Sequence, residues 1–275
     1  DIVDVGAFRL VRQIGRGGMG VVYLAERRSG FEQQVAIKIM PRFAIDDRSR
    51  ERFAQERRIL AQLRHPNICT IVDGGELAEG TPWLAMEYVP GESLCAWCER
   101  TGAGLNERIA LFLQLCDAVQ YAHRNLVIHR DLKDSNVLVD ESGTLKLLDF
   151  GIAKLIDEGG PPGLTRADVQ VLTPEYAAPE QLLGRPITTA TDVYALGIVA
   201  YLLLTGRHPL SKPGEAHADW VRGVLDREPP RASLAAEGPA TLRRRLQGDL
   251  DNILRKALRK APQERYSSVE AFADD

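Results

Sequence analysis

The strongest constraint on the fold is a change of residue pattern about ninety residues into the chain. Before that point, short runs alternate apolar and polar residues or are rich in β-branched residues, with glycine and polar breaks between them. The runs are Phe8–Ile14, Val21–Glu26, Gln34–Ile39, Cys69–Asp73 and Pro82–Tyr88. A charged stretch from Asp46 to Arg64 has apolar residues at helical spacing. This part of the chain therefore predicts a five-stranded sheet with one helix.

Helical patterns dominate the remainder of the chain. Asn106 can cap a long amphipathic helix, and Val137–Val139 and Leu145–Leu148 are short strands flanking a turn. The stretch Asp192–Leu204 is apolar almost all round but too short to span a membrane, so it predicts a buried central helix. A further amphipathic helix is predicted for Gln247–Lys260.

The two patterns predict an α+β chain with a boundary near Val89-Pro90, giving lobes at residues 1–89 and 90–275. A length of 275 residues with 44% hydrophobic and 27% charged residues suits such an arrangement. Clefts between lobes are favoured ligand sites. The net charge of −3 provides no polybasic surface, so no nucleic-acid partner is expected.

The cysteines and the chain ends add little chemistry. Cys95 and Cys98 form a C-x-x-C, but a zinc site would need a second ligand pair, and the spacing offers none. Buried or helix-face thiols in a reducing cytosol are the simpler interpretation. No signal-peptide pattern precedes Phe8, and the chain stops within a helical pattern. We therefore expect a cytoplasmic segment of a longer protein, without a membrane span of its own but with a membrane tether conceivable through regions outside the segment.

The glycine-rich stretch at residues 15–22 reads G-x-G-x-x-G-x-V. Glycine lets a backbone approach phosphate groups closely, so Gly15, Gly17 and Gly20 are candidate phosphate-binding positions. Alone, the motif fits a plain glycine hairpin equally well. A dinucleotide-binding loop would be followed by a helix, whereas here a strand follows, so the loop is predicted to be the tip of a hairpin.

A lysine, Lys38, ends the apolar strand Val-Ala-Ile-Lys. Glu56 precedes Leu60 by four residues, so both lie on one helix face. A Lys38–Glu56 pair would orient the ammonium toward nucleotide phosphates. Glu51 and Glu26 are alternative partners.

The most informative stretch is H-R-D-L-K-D-S-N at residues 129–136, followed by Asp149-Phe150-Gly151. Phosphoryl transfer requires an aspartate to orient a hydroxyl, a cation to neutralise charge, and oxygen ligands for Mg²⁺. Asp131, Lys133, Asn136 and Asp149 supply that set in order. A polar turn with a capping aspartate is the alternative, and the co-occurrence of both motifs argues against it.

Together with Ala178-Pro179-Glu180, these motifs resemble the signature set of eukaryotic-type protein kinases, closest in style to bacterial serine/threonine protein kinases. The resemblance runs from about Phe8 to Phe272. It implies a bilobal α+β protein kinase fold, with a small five-stranded antiparallel sheet lobe carrying one helix and a larger, mainly helical lobe.

The resemblance also implies the reaction and its residues. ATP would donate its γ-phosphoryl group, with Mg²⁺ as the metal and Mn²⁺ able to substitute. Asp131 would be the base and Lys133 its catalytic neighbour, Lys38 and Glu56 the phosphate-orienting pair, and Asn136 and Asp149 the metal ligands. The expected nucleotide-binding residues are Ile14, Gly15, Gly17, Gly20, Val22, Ala36, Lys38, Met86, Glu87, Val89 and Leu138.

Within that set, the resemblance assigns Met86 as the gatekeeper and the backbone of Glu87 and Val89 as the adenine-binding groups. Val22, Ala36 and Leu138 would sandwich the base. Outside it, Glu180 is expected to pair with Arg265, and Asp192 to brace the catalytic loop.

Serine/threonine rather than tyrosine specificity is implied by Lys133 and by Thr173, which in such kinases contacts the base and the lysine. Arg130 is expected to meet a phosphorylated activation loop, and Thr165 is the candidate autophosphorylation site. Two residues depart from the family pattern. Leu172 replaces a usual glycine, which bears on peptide docking, and Asp134 replaces a frequent proline, adding negative charge near the metals.

The expected partners are proteins with serine or threonine hydroxyls and, for autophosphorylation in trans, a transient homodimer. A nucleotide-binding pseudokinase scaffold is the alternative function. Such scaffolds usually lack the lysine, the base or the metal aspartate, whereas Lys38, Asp131 and Asp149 are all present. Small-molecule phosphotransferases of related fold lack the Ala-Pro-Glu segment.

Overall fold

The computed structural model describes residues 4–17, 20–40, 55, 57–150, 174–211 and 215–275. The chain divides at Pro90 and Gly91 into two compact units. The first contains described residues up to Pro90, and the second contains the described residues of 91–150 and 174–275.

An antiparallel sheet forms the first unit. Its strands are β1 (Asp4–Val5), β2 (Phe8–Gly17), β3 (Gly20–Arg27), β4 (Gln34–Ile39), β5 (Ile71–Glu76) and β6 (Pro82–Glu87), in the order β1-β2-β3-β4-β6-β5. The expectation of five strands was therefore one short. The additional strand, β1, has two residues, too few for an alternating pattern, and it turns into β2 through Gly6 at a φ of +55°. Residues 57–60 are helical, within the helix expected after β4.

The two faces of this sheet carry different side chains along β4. Ile37 is fully buried in one apolar core, whose other buried members are Val5, Phe8, Ala25, Val35, Trp83 and Ala85. Because successive side chains of a strand point to opposite faces, Ala36 and Lys38 lie on the other face. That second face is the one relevant to function.

Helices dominate the second unit. They are α1 (Leu94–Thr101), α2 (Leu105–Arg124), α3 (Pro179–Leu182), α4 (Thr189–Thr205), α5 (His217–Asp226), α6 (Ala232–Ala235), α7 (Ala240–Leu246), α8 (Asp249–Ala257) and α9 (Val269–Asp274). A small sheet, in the order β7-β8-β9, joins Gly91–Ser93, Val137–Asp140 and Leu145–Leu147. Among the helices of the described ranges, none is long and apolar enough to cross a bilayer.

Two helix starts differ from the sequence expectation. The cap of α2 is Gly104, not Asn106, because the Glu107 carboxylate reaches back to accept the Gly104 N–H at 2.8 Å. The central helix α4 begins at Thr189, one turn before Asp192. It is buried along almost its whole length, and Gly197 lets α8 approach, since a Cβ there would lie 3.0 Å from the Cβ of Ala257.

Candidate active site

In the first unit, four expected nucleotide-binding residues share one face of the sheet. Val22 is the register partner of Lys38, and Ala36 is the partner of Met86. Directly opposed residues of antiparallel strands project to the same side, and Ala36 and Lys38 are two positions apart on one strand. Ala36, Lys38 and Met86 are each at most 9% exposed. The sheet therefore presents an apolar surface with one ammonium beside it.

The glycine hairpin lies at the end of β2 and β3. Gly17 pairs with Gly20 and Gly15 with Val22, and residues 18 and 19 lie outside the described residues. Gly20 has a φ of +124°, and a Cβ there would lie 2.1 Å from the Ile39 carbonyl oxygen. Glycine at this position is therefore required by the packing of β3 against β4, whereas Gly17 faces open space.

The chain leaving β6 carries the groups expected to bind adenine. The Glu87 N–H donates to the Thr70 carbonyl at 2.9 Å, so it is already engaged. The Glu87 carbonyl accepts from Cys69 Sγ at 3.3 Å. Val89, two residues on, is 9% exposed. Both backbone groups of Glu87 thus contact the segment Cys69-Thr70 that leads into β5.

In the second unit, the catalytic-loop residues converge on one carboxylate. Lys133 Nζ lies 3.0 Å from Asp131 Oδ2. Asn136 Nδ2 donates to the Asp131 carbonyl oxygen at 2.8 Å and to Asp131 Oδ2 at 3.2 Å. The Asp131 and Asn136 side chains are buried, so these contacts form in a desolvated environment. The structure thus brings the expected base, its lysine and one expected metal ligand together.

Asp149 is positioned through its neighbours. His129 Nε2 donates to the Leu148 carbonyl at 2.9 Å, and the His129 ring lies 4.6 Å from the Phe150 ring, centroid to centroid. Burial lowers the pKa of His129, which keeps the imidazole neutral. The neutral tautomer with a proton on Nε2 leaves Nδ1 to accept the Asp131 N–H at 3.4 Å. One ring therefore connects the base to both flanks of Asp149.

Asp192, the first-turn carboxylate of α4, holds the start of the catalytic loop. It accepts the backbone N–H groups of His129 at 2.7 Å and Arg130 at 2.9 Å, and His123 Nε2 at 2.7 Å. Burial alone would raise the pKa of Asp192, but the hydrogen bonds from the His123 side chain and the His129 backbone hold it below its usual value. Arg130 has a φ of +68°, a strained conformation that these bonds stabilise. Gln181 Nε2 donates to the Arg130 carbonyl at 3.0 Å from the other side.

Glu180 and Arg265 do pair, as expected, in the interior of the second unit. The guanidinium nitrogens lie 2.7 and 2.8 Å from the two carboxylate oxygens, and both side chains are at most 3% exposed. Thr191 Oγ1 donates a further bond of 2.8 Å to the carboxylate. This bidentate pair ties α3 to the C-terminal part of the chain.

The remaining expected residues form two groups, those outside the described residues and those on strands. Glu56, Thr165, Leu172 and Thr173 lie outside the described residues. Leu138 is on β8 between the buried Val137 and Val139, so it points away from their core. Ile14 is 37% exposed on β2.

Three residues that hold the catalytic loop, residues 129–136, had no role assigned from the sequence. His123 and Gln181 bond to Asp192 and to Arg130, and Asp134 bonds to the start of α1. Each contact joins residues at least 39 positions apart, so no local spacing could have indicated it.

The residues available for a divalent metal fit Mg²⁺ better than a softer ion. Because Asn136 Nδ2 is turned to Asp131, its amide oxygen is the group left to coordinate, and Asp149 adds a carboxylate. Mg²⁺ typically takes only one or two carboxylates from the protein and completes its shell with phosphates and water. Over the part of the chain that the structure describes, no three His, Cys, Asp or Glu residues gather as a denser metal cluster would need.

Comparison with known proteins decides the family. The protein kinase domain family matches residues 8–275. The chain belongs to this family. It is 41% identical to the serine/threonine-protein kinase Pkn1 of Myxococcus xanthus, over 98% of the chain and 38% of that protein. It is 36% identical to the serine/threonine-protein kinase PknA of Mycobacterium tuberculosis, over 98% of the chain and 60% of that protein.

The fold agrees with a solved relative. The crystal structure of a point mutant of the Mycobacterium tuberculosis PknI kinase domain matches with a TM-score of 0.72 and 29% identity, covering 99% of this chain and 95% of that one. The predicted protein kinase family and α+β kinase fold class are therefore confirmed. The curated relatives named above are serine/threonine-protein kinases. The family uses ATP with a divalent metal and acts on proteins. This kinase domain spans between 38% and 60% of the length of the curated relatives named above.

Proposed function

We propose that this kinase domain transfers the γ-phosphoryl group of ATP to serine or threonine hydroxyls of proteins. The observation that carries the proposal is the contact of the buried Asp131 carboxylate with the Lys133 ammonium at 3.0 Å and with the Asn136 amide at 3.2 Å. Such a group has the chemistry to accept a hydroxyl proton next to a positive charge and an oxygen ligand for a metal.

Each residue of the loop has a distinct task in this reaction. Asp131 orients the substrate hydroxyl and accepts its proton. An opposite charge this close favours the ionised carboxylate, so Lys133 keeps Asp131 ready as a base. The same ammonium balances the negative charge of the phosphoryl group during transfer.

Asn136 and Asp149 would hold the metal, for which we propose Mg²⁺ with Mn²⁺ as a substitute. The ion neutralises phosphate charge when it is bound. The protein contributes rigidity: Asn136 is fixed through Asp131, and the residues beside Asp149 are fixed through His129. This rigidity lowers the reorganisation that the reaction would otherwise require.

The first unit would bind the nucleotide. Lys38 is proposed to contact the α- and β-phosphates, oriented by Glu56, and the glycines of the hairpin to cover them. The apolar face shared by Val22, Ala36 and Met86 suits the adenine ring. Leu138 is proposed as a further adenine-binding residue. The carbonyl of Glu87 and the backbone of Val89 are proposed as hydrogen-bonding partners of the base.

The remaining proposals concern regulation and context. Thr165 is the proposed autophosphorylation site, Thr173 the proposed determinant of serine/threonine specificity, and a transient homodimer the proposed arrangement for reaction in trans. A cytoplasmic location is proposed, in keeping with the reduced cysteines of the fold.

The test is a transfer assay with radiolabelled ATP and Mg²⁺ or Mn²⁺, on the wild-type chain and on Asp131→Asn. A general base contributes about 10²- to 10⁴-fold, so we expect labelling to fall by that factor. Asp140→Asn, which neutralises an exposed turn carboxylate, is the matched control. Phosphopeptide mapping should place the main label on Thr165. Equal labelling of wild type and Asp131→Asn would refute the assignment of the base.

Nucleotide binding without transfer by the wild type would favour the pseudokinase alternative.

A further inference from the structure

The short turn Asp134–Asn136 joins two residues of the proposed machinery, Lys133 and Asn136. Asn136 N–H donates to the Lys133 carbonyl at 3.0 Å, and the Val137 N–H donates to the Asp134 carbonyl. The turn is a single 3-10 unit, so the backbone of Asp134 cannot move without moving both of its functional neighbours. What holds Asp134 therefore matters for catalysis.

The Asp134 carboxylate is directed at the beginning of α1. Its Oδ1 accepts the backbone N–H of Cys95 at 2.8 Å. Cys95 is the second residue of that helix, and Ser93 Oγ, at the cap, accepts the Ala96 N–H at 3.4 Å. The first N–H groups of a helix lack partners within it, and the helix dipole favours a negative charge there. The carboxylate thus acts as a second cap of α1.

The charge of Asp134 also acts on two neutral groups near it. Burial, followed by the negative charge of Asp134, raises the pKa of the Cys95 thiol. Burial, followed by the same charge, also raises the pKa of the Tyr176 hydroxyl. The hydrogen bond to the Cys95 N–H remains the contact that connects Asp134 to α1.

We propose that Asp134 is a positioning residue for phosphoryl transfer, which holds Lys133 and Asn136 in place by anchoring their turn to the Cys95 N–H of α1. This inference rests on the proposed kinase function. Asp134 touches neither substrate nor metal in this scheme. Because displacement of a reacting group by about 1 Å can cost as much as 10²-fold in rate, loss of the anchor should act on the transfer step.

The experiment measures the single-turnover autophosphorylation rate at saturating ATP, and separately the ATP concentration that gives half that rate. For Asp134→Ala we expect the rate to fall about 10- to 100-fold, with the half-saturating ATP concentration unchanged within about twofold. Asp134→Asn keeps an oxygen acceptor and should recover the rate to within about threefold of wild type. Ser135→Ala alters the exposed neighbour in the same turn and is the matched control.

A second pair of variants leaves the catalytic loop intact. Cys95→Pro removes the donor N–H at a first-turn helix position, where proline is tolerated, and Cys95→Ala keeps it. We expect the proline variant to slow transfer as Asp134→Ala does, and the alanine variant to stay within about threefold of wild type. Hydrogen exchange of residues 95–98 should be faster in Asp134→Ala, and this readout does not depend on activity.

The outcomes separate the two proposals. If wild type is active and Asp131→Asn is not, a normal rate in Asp134→Ala or in Cys95→Pro overturns the positioning role. A rate for Asp134→Asn as low as that of Asp134→Ala overturns it too. An inactive wild type, or an active Asp131→Asn, instead refutes the proposed function. Should Asp134→Ala fail to fold, the two Cys95 variants still decide.

Discussion

Replacing Arg265 tests how much one buried ion pair contributes to the stability of the second unit. All five N–H groups of this side chain are used. Two go to the Glu180 carboxylate, at 2.7 and 2.8 Å. The other three go to the carbonyls of Arg259 at 2.7 Å, Ala190 at 2.8 Å and Lys260 at 3.0 Å. No other side chain offers this fork of donors, so lysine cannot replace it.

Arg265→Met keeps the length of the side chain but leaves the Glu180 carboxylate buried without its cation. Breaking a buried pair from one side typically costs about 3–5 kcal/mol, and three carbonyls lose a partner as well. At about 2–4 °C per kcal/mol for a chain of this size, the melting temperature should fall by about 6–20 °C. Adding Glu180→Gln should recover part of the loss, because the charge left buried is then removed.

The assay is thermal unfolding followed by circular dichroism, with urea unfolding as a second measure. The control is Arg124→Met, which breaks an ion pair of 2.8 Å with Glu270 whose side chains are 61% and 55% exposed. It should cost less than about 1 kcal/mol. A melting temperature for Arg265→Met within about 2 °C of wild type would refute the reasoning, as would a double variant no more stable than the single one.

The same pair has a predictable dependence on pH. Burial alone would raise the pKa of Glu180, but the bonds from Arg265 lower it below its usual value. A carboxylate with a depressed pKa stabilises the fold above its unfolded pKa, and the contribution is lost as the pH falls through the folded pKa. In acid, below about pH 4.5, the stability difference between wild type and Arg265→Met should therefore shrink.

Three further predictions concern other sites. Asp192→Asn removes a charge that accepts three bonds, so we expect a loss of about 2–4 kcal/mol in urea unfolding, together with slower transfer. Gly20→Ala should lower the free energy of unfolding by about 1–3 kcal/mol, because of the clash with Ile39 and the positive φ. Gly17→Ala, which meets open space, should change it by less than about 0.5 kcal/mol. Equal melting temperatures of the two variants would contradict this prediction. Burial lowers the pKa of Lys260 to about 8. Between that pH and the usual pKa of lysine, the unfolded chain therefore binds more protons than the folded chain, so the stability of the wild type should rise with pH across the lower part of this window, by less than about 1.4 kcal/mol per pH unit. Lys260→Met should lack the rise.

Much of the fold was predictable because its signals are local. The short apolar runs of β4 and β6, bounded by polar residues and proline, indicated strands, and the long, almost entirely apolar run of α4 indicated a buried helix. The errors were also local. The strand β1 is too short to show a period, and Gly104 caps α2 because of a carboxylate three residues later. Such ends depend on single hydrogen bonds that compete closely with alternatives.

For the candidate site, the sequence by itself determined the chemical inventory: the carboxylates, the amide, the two lysines and the glycine hairpin that we propose as base, metal ligands and phosphate-binding groups. Only the tertiary structure decided how that inventory is held. Asp192 reaches back more than 60 residues to the loop that His129 begins, and Asp134 reaches the start of α1. Contacts between distant residues leave no periodic trace in a chain, because they depend on where separate elements pack and not on spacing within any of them.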